Sequence, residues 1–201
     1  MPTRAKLKQA AKDCIKAQTL NPVLVTLVYA LIAVVVSLLD GISAATVIIP
    51  LVLAIAFNAI QMGYTYYCMK IAKREQATYA DLVYILKDWR FTLKLVGLTL
   101  VTSILIMLWS MLLVVPGVIK AFSYSQAFKV MIENPNMSIT EAIKESKKLM
   151  DGHKMEYFIL DLSFIPWTLL VGITCGIASL WALPYIQTTM VQYYYSLKQC
   201  K

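Results

Sequence analysis

Charged residues are scarce in this chain, and the scarcity is concentrated in three long stretches that contain none at all. Only 15% of the 201 residues are charged, whereas 59% are hydrophobic. The uncharged stretches are 23–39, 42–69 and 95–119. A helix crosses a bilayer core of about 30 Å with about 20 apolar residues. A soluble domain of this length buries one or two such helices, so a series of them indicates a membrane protein.

Residues that bind metals or carry out catalysis are also few, and they lack the spacing that those functions need. His153 is the only histidine, and the four cysteines (Cys14, Cys68, Cys175 and Cys200) form no CxxC pair. We therefore expect neither a metal site nor a structural disulfide. The chain has no glycine-rich phosphate loop, no paired catalytic acids and no HExxH pattern. The sequence thus predicts no cofactor and no enzyme activity.

The net charge of +8 has two ordinary explanations, nucleic-acid binding and an excess of cations on the cytoplasmic side of a membrane protein. No nucleic-acid-binding motif accompanies the charge, so we predict no nucleic-acid partner. Lysine and arginine lie between the apolar stretches and are absent from the intervening turns 40–46, 115–117 and 176–179. This asymmetry predicts a multi-pass protein of the cell membrane with both termini in the cytoplasm.

The chain, which we predict to be a single membrane domain (1–201), divides into three similar units: 3–69, 78–132 and 138–197. Each begins with a capped amphipathic helix and continues through two apolar spans, and Pro50, Pro116 and Pro184 mark the returns at near-constant spacing. Thr3, the stretch from Thr78 to Asp81, and Ser138 with Glu141 are the predicted helix starts. The period favours an internal repeat, although any series of similar hairpins looks periodic.

The predicted fold is therefore all-α, a polytopic membrane bundle of about six transmembrane helices in three hairpins. A cytoplasmic amphipathic helix precedes each hairpin. The predicted turns are Asp40–Gly41, Pro116–Gly117 and 176–179. The fourth span (118–132) and the sixth (180–197) are short and contain polar residues. The alternative is four full spans and two partial or re-entrant ones.

Several motifs resemble one family of bacterial membrane proteins. They are PGVIKAFSYSQAF (116–128), ENP (133–135), EAIKESKKLMDGHK (141–154), LSFIPW (162–167) and LWALPYIQT (180–188). In combination they look like the integral membrane family catalogued as Domain of Unknown Function 975. Pro166 stands where the family pattern has glycine. The resemblance implies a polytopic protein, mostly of Gram-positive bacteria, and implies no reaction. The family is distantly similar to the membrane domain of some glycerophosphodiester phosphodiesterases, whose catalytic domain has no counterpart here.

Ionisable groups within the predicted spans are functional candidates, because a charge in hydrocarbon costs several kcal/mol. Asp161 lies near the cytoplasmic end of the fifth span. Lys120 lies near the outer end of the fourth span and Lys129 near its inner end, so we predict Lys129 as the partner of Asp161. Gln126 is among the polar residues of the same span. One hypothesis is a proton or substrate site between spans four and five. The alternative is a structural ion pair, or side chains that snorkel to the headgroups.

The basic amphipathic helices are the other candidate site. Lys144, Lys147, Lys148 and Lys154 are predicted to face anionic lipid headgroups while the apolar stripe of the helix lies in the membrane interface. This is either ordinary cytoplasmic anchoring or a docking surface for a partner protein or an anionic lipid. Gly172 and Gly176 form a GxxxG step that favours close helix approach within the bundle or in a homo-oligomer. We expect a non-enzymatic accessory or scaffold protein, with a small transporter or channel as the second hypothesis and a lipid-modifying enzyme as the third.

Overall fold

The computed structural model describes residues 3–18, 22–42, 48–83 and 88–199, and their only regular secondary structure is helical. The all-α prediction is therefore confirmed for the described part of the chain. Cys200 and residues 43–47 lie outside it. The first predicted turn, Asp40–Gly41, is wrong in position, because both residues still belong to the helix Pro22–Ile42. In chain order the helices are α1 Arg4–Lys16, α2 Pro22–Ile42, α3 Ile48–Ala72, α4 Ala80–Val83, α5 Trp89–Leu112, α6 Val114–Tyr124, α7 Ala127–Glu133, α8 Ile139–Met150, α9 Lys154–Leu162, α10 Ile165–Ile173 and α11 Ser179–Gln199.

The predicted capping box at the start of α8 is confirmed. The Ser138 hydroxyl accepts from the Glu141 backbone N–H at 3.3 Å, and a Glu141 carboxylate oxygen accepts from the Ser138 N–H at 2.8 Å. These bonds satisfy donors that the helix itself leaves unpaired. Because the Ser138 backbone and hydroxyl stabilise the charged form, the pKa of Glu141 is lowered from its ordinary value.

The second predicted turn is wrong by a few residues. The chain breaks at Leu113, whose backbone is extended (φ −162°, ψ 138°), and Pro116 lies inside α6. Proline fits there because the first helical turn has N–H groups without intrahelical acceptors. Gly117 faces α5 so closely that an added Cβ would lie 2.3 Å from the Ser110 hydroxyl oxygen. The pair Pro116–Gly117 therefore shapes a tight helical hairpin rather than a turn.

Two of the predicted spans are divided into shorter helices. The fourth consists of α6 and α7, which meet at a turn formed by Ser125 and Gln126. The fifth consists of α9 and α10, with a turn at Ser163 and Phe164 and with Pro166 in the first turn of α10. The 11 residues of α6 extend over only about 16 Å, so this helix alone is too short for a bilayer.

The buried core is concentrated where the ends of several helices meet. The C-terminal ends of α3, α7 and α11 converge on Glu133, and the start of α5 joins them through a Lys94 bond to the Pro135 carbonyl. We call this region the core end. Fully buried side chains here include Tyr67, Ile71, Met131 and Tyr194.

Away from the core end, large apolar side chains are exposed along α2, α5, α10 and the start of α11. Two stretches, Trp89–Met111 and Lys154–Ile173, are helical, long and apolar enough to cross a membrane, and Pro22–Val34 is a shorter apolar helix. Only 17% and 11% of the most apolar parts of the two long stretches are buried. They therefore do not pack like the core helices of a soluble protein, which are mostly buried.

Candidate functional site

A polar junction holds the turn between α6 and α7. Gln126 is fully buried there, and its backbone N–H donates to the Ser146 hydroxyl of α8 at 3.2 Å. Ser146 in turn donates to the Ser123 carbonyl at 2.8 Å. A helix break leaves backbone groups unpaired, and a buried unpaired group is costly. Ser146 supplies the missing partners, which explains why a serine interrupts the apolar face of α8.

Lys129 lies on this junction with 6% of its surface exposed. Its ammonium donates to the Gln126 side-chain oxygen at 2.9 Å, and the Gln126 amide donates to the Ser125 hydroxyl at 2.9 Å. The predicted ion pair with Asp161 is not formed, since among the described residues no carboxylate lies within 4 Å of the Lys129 ammonium. A neutral amide therefore takes the place in which the sequence predicted a counter-ion.

Lys129 and Asp161 nevertheless face the same cavity. Its volume is about 300 Å³, and α3, the α6–α7 junction, α9 and α11 surround it. Its polar lining comprises Thr65, Ser125, Lys129, Tyr157, Asp161 and Gln187. Two opposite charges on one cavity wall, without direct contact, leave room for water or a small polar solute between them. Of the four predicted site residues, Lys129 and Asp161 line this cavity, and Gln126 is joined to it only through its bond with the Lys129 ammonium.

Lys120 does not belong to this site. Its ammonium lies 4.7 Å from the centre of the Trp109 ring, across the hairpin of α5 and α6. A cation over an indole face is a stabilising contact in its own right. The prediction that Lys120 takes part in the polar site is therefore wrong, because the hairpin turns its ammonium onto Trp109.

The lysines of α8 are exposed, but the apolar stripe of the helix does not lie in a membrane interface as predicted. Ala142 and Met150 are fully buried inside the protein, against α6 and α7. The lysine face points outwards: Lys144, Lys147 and Lys148 are exposed, and Lys154 at the start of α9 is half-buried. An amphipathic pattern specifies that one face is shielded from water, and here protein provides the shield.

Two of these lysines have specific neighbours. The Lys147 ammonium lies 5.3 Å from the centre of the Tyr124 ring, and Lys148 pairs with Glu145 at 3.6 Å, one helical turn away. Both contacts are at the surface, where an ion pair contributes under about 1 kcal/mol. The lysine face therefore keeps most of its positive charge available to an external anion.

The sequence did not predict the cluster around Glu133. One Glu133 oxygen accepts from the Tyr194 hydroxyl at 2.7 Å and from the Lys198 ammonium at 2.6 Å, while Lys73 pairs with the other oxygen at 3.7 Å. Burial alone would raise the pKa of Glu133, but the bonds from Lys198 and Tyr194 lower it overall. Glu133 lies 61 and 65 residues from Tyr194 and Lys198, so no local pattern signals the cluster.

Lys70 and Asp81 form a second ion pair near the core end. Their side chains meet at 2.7 Å, and the other Asp81 oxygen accepts from the Thr78 backbone N–H at 2.7 Å. The helix start predicted at Thr78 is therefore supported by Asp81, although only the four residues of α4 are helical within 78–83. The hydrogen bond to Asp81 raises the pKa of Lys70.

The glycines of the GxxxG step have no close partner within the part of the chain that the structure describes. An added Cβ at Gly172 or Gly176 would meet no atom within 4 Å. Gly176 instead has a backbone role, since its φ of +91° and its N–H bond to the Val171 carbonyl at 2.8 Å end α10. Cys14, Cys68 and Cys175 are free thiols, and no metal-binding cluster occurs among the described residues.

A comparison with known proteins gives one match. The family model described as "Protein of unknown function (DUF975)" matches residues 1–127 and 111–201. No curated protein and no solved structure matches the chain.

Proposed function

The chain belongs to the family described as "Protein of unknown function (DUF975)", and we propose that it is a multi-pass membrane protein. In this proposal about six helices cross the bilayer, and both termini are cytoplasmic. The exposed apolar surfaces of 89–111 and 154–173 support it. The placement of lysine and arginine between the apolar stretches supports the orientation. The distant similarity to a phosphodiesterase membrane domain stays a prediction.

Cys175 offers a direct test of this orientation. Its thiol is exposed in the turn after α10, whereas Cys14 and Cys68 are buried. With Cys200 changed to serine, a membrane-impermeant maleimide added to intact cells should label Cys175. Labelling that requires permeabilised cells would contradict the proposed orientation.

Within the membrane we propose a non-enzymatic accessory role in which the lysine face of α8 binds anionic lipid headgroups. The observation that carries this proposal is that the two faces of α8 have different surroundings. Its apolar face is fully used in the core, while Lys144, Lys147 and Lys148 remain exposed. Such a helix attracts a ligand by charge alone, at about 1 kcal/mol for each lysine near an anionic surface. Binding should therefore weaken as salt concentration rises.

The test compares lipid retention by two variants with the same loss of charge. Purified protein is exchanged into mixed nanodiscs, and the ratio of anionic to zwitterionic lipid retained after detergent extraction is measured by mass spectrometry. The triple variant Lys144→Gln, Lys147→Gln and Lys148→Gln should lose the enrichment in anionic lipid. The control removes exposed cations elsewhere, through Lys6→Gln, Arg74→Gln and Arg90→Gln. Equal effects of both triples would refute a role for α8. If an acidic protein co-purifies with the unmodified protein and is lost only from the α8 triple variant, the docking alternative is favoured.

A second candidate function, transport of a proton or small polar solute, is favoured by the cavity that Lys129 and Asp161 share. A carboxylate that faces a polar cavity inside a membrane protein is suited to carry a proton. Proteoliposomes loaded with a pH-sensitive dye would show proton flux that Asp161→Asn abolishes. Asp151→Asn, at the exposed end of α8, is the matched control. Flux that is unchanged by Asp161→Asn, or absent from the unmodified protein, would remove proton transport.

A further inference from the structure

A groove separate from the sites above lies between α1 and the apolar helices. Its volume is about 240 Å³, and most of its wall is apolar. Lys12 and Lys16 of α1 line one side. Trp167 of α10, with Trp181 and Tyr185 of α11, lines the other. The groove thus places two cations beside an aromatic wall.

Contacts with the core hold α1 in a fixed position along this groove. Its apolar face is buried, with Ala11 fully enclosed and Cys14 3% exposed. The Gln192 amide donates to the Ala72 carbonyl at 2.9 Å and contacts the Cys14 sulfur at 3.4 Å, so α1 is tied to both α11 and α3. The lysines of α1 are therefore presented by a docked helix rather than by a loose N-terminal segment.

The cations of α1 are crowded, and none of them forms an ion pair with a carboxylate of the described residues. Lys8 lies 4.7 Å from the centre of the Phe164 ring, and its pKa is lowered by burial and by the charges of Arg4 and Lys12. Lys12 lies 5.7 Å from the centre of the Tyr185 ring. Within the described ranges no ion pair joins Lys12 or Lys16 to a carboxylate. An anion bound at the rim of the groove would relieve this repulsion.

The walls indicate which kind of anion fits. Trp167 lies within the stretch 154–173 that is apolar enough to cross a membrane, and Trp181 is 57% exposed beside it. Their rings give an acyl chain an apolar surface to pack against as it runs from the lysines into the bilayer. A ligand with an anionic head and an apolar chain matches a groove with lysines on one side and indoles on the other. A free phosphate would leave the aromatic wall unused.

We propose that this groove binds one anionic phospholipid, with its phosphate on Lys12 and Lys16 and an acyl chain along Trp167 and Trp181. The groove is smaller than the usual pocket for a whole ligand, so it holds the headgroup and the upper part of a chain while the rest stays in the bilayer. The inference rests on the proposed membrane location. It does not depend on the lysine face of α8.

Quenching of tryptophan fluorescence tests this assignment. In a background with Trp89→Phe and Trp109→Phe, Trp167 and Trp181 are the only tryptophans that remain. The protein is reconstituted into phosphatidylcholine vesicles that contain increasing fractions of phosphatidylglycerol with brominated chains. A second series uses phosphatidylcholine with brominated chains. The anionic lipid should quench with a relative binding constant roughly 30-fold higher, from about two lysine contacts with a headgroup.

Two charge variants separate the groove from general membrane electrostatics. The double variant Lys12→Gln, Lys16→Gln should bring the ratio of the two lipid binding constants close to one. Lys16→Gln alone, at the exposed end of α1, should lose about half of the preference on a logarithmic scale and guards against a folding defect in the double variant. The α8 triple variant should keep the preference. Strong but equal quenching by both lipids, or a preference that survives the double variant, would refute lipid binding in the groove and leave the membrane location intact. No quenching by either lipid would refute the membrane location.

Discussion

Glu133 provides a quantitative test of how the core end is held together. Replacing Glu133 with glutamine keeps an acceptor for Tyr194 but removes the charge that Lys198 and Lys73 contact. A hydrogen bond to a charged group contributes about 1.5–3 kcal/mol, whereas an exposed ion pair contributes under about 1 kcal/mol. The Glu133 side chain is 12% exposed and the two lysines are nearly half exposed, so the effect lies between these limits. We expect a loss of about 2 kcal/mol in the free energy of unfolding.

Thermal unfolding in detergent micelles, followed by circular dichroism, measures this loss. A change of about 2 kcal/mol lowers Tm by about 4–8 °C in a chain of this size. Glu145→Gln is the control, because Glu145 pairs only at the surface with Lys148. It should change Tm by less than about 2 °C. Equal shifts for the two variants would refute the importance of the Glu133 cluster.

The pH dependence provides an independent check of the same reasoning. The pKa of Glu133 in the folded protein is lower than its ordinary value of 4.5, because Lys198 and Tyr194 outweigh the effect of burial. Its contribution to stability is therefore fully present above pH 4.5 and is lost as the pH falls through the folded pKa. The Tm difference between the unmodified protein and Glu133→Gln should narrow in that range. A difference that widens below pH 4.5 would contradict the assignment.

Three further predictions concern packing, capping and charge. Gly63→Ala should prevent folding or lower Tm by more than 5 °C, an effect above about 2 kcal/mol, because the added Cβ would lie 1.8 Å from a backbone oxygen of α4. Gly172→Ala is the control. Its Cβ would meet no atom within 4 Å, so Tm should stay unchanged or rise. Ser138→Ala removes the capping box and should cost about 1 kcal/mol in chemical denaturation, and a cost near zero would show that α8 is held by packing alone. Asp81 raises the pKa of Lys70, so this pair stabilises the protein at neutral pH, and the stabilisation is lost as the pH rises through the folded pKa, above 10.5. Asp81→Asn should reduce this fall of Tm at alkaline pH. A dependence of Tm on pH that is the same in the variant would contradict the role of the pair.

Local signals were sufficient for the helical character of the described residues and for the starts of α1 and α8, at Thr3 and Ser138. The capping box of Ser138 and Glu141 appeared where predicted, because both partners lie within one helical turn and need no other part of the chain. The break between α5 and α6 was misplaced, because the sequence does not reveal that Gly117 must approach Ser110. A glycine beside a proline signals a turn and a close helix contact equally well.

The candidate site was only partly predictable for a similar reason. Asp161 and Lys129 stand out as charges in apolar surroundings, and the structure places both on one cavity. Their pairing was wrong, because Gln126, three residues before Lys129, reaches the ammonium first. The Glu133 cluster and the groove beneath α1 join residues that are far apart in the sequence, so no periodicity reveals them.

The sequence by itself determined the all-helical class, the long apolar stretches, the family and the concentration of positive charge between those stretches. These properties depend on composition and on neighbours within a few turns of helix. Only the tertiary structure decided what each amphipathic helix packs against and which charges meet. A 3.6-residue period states that one face of α8 avoids water, but lipid and protein satisfy that requirement equally. The arrangement of α6 and α7 settles it, because their packing buries Ala142 and Met150 and leaves the lysines outside.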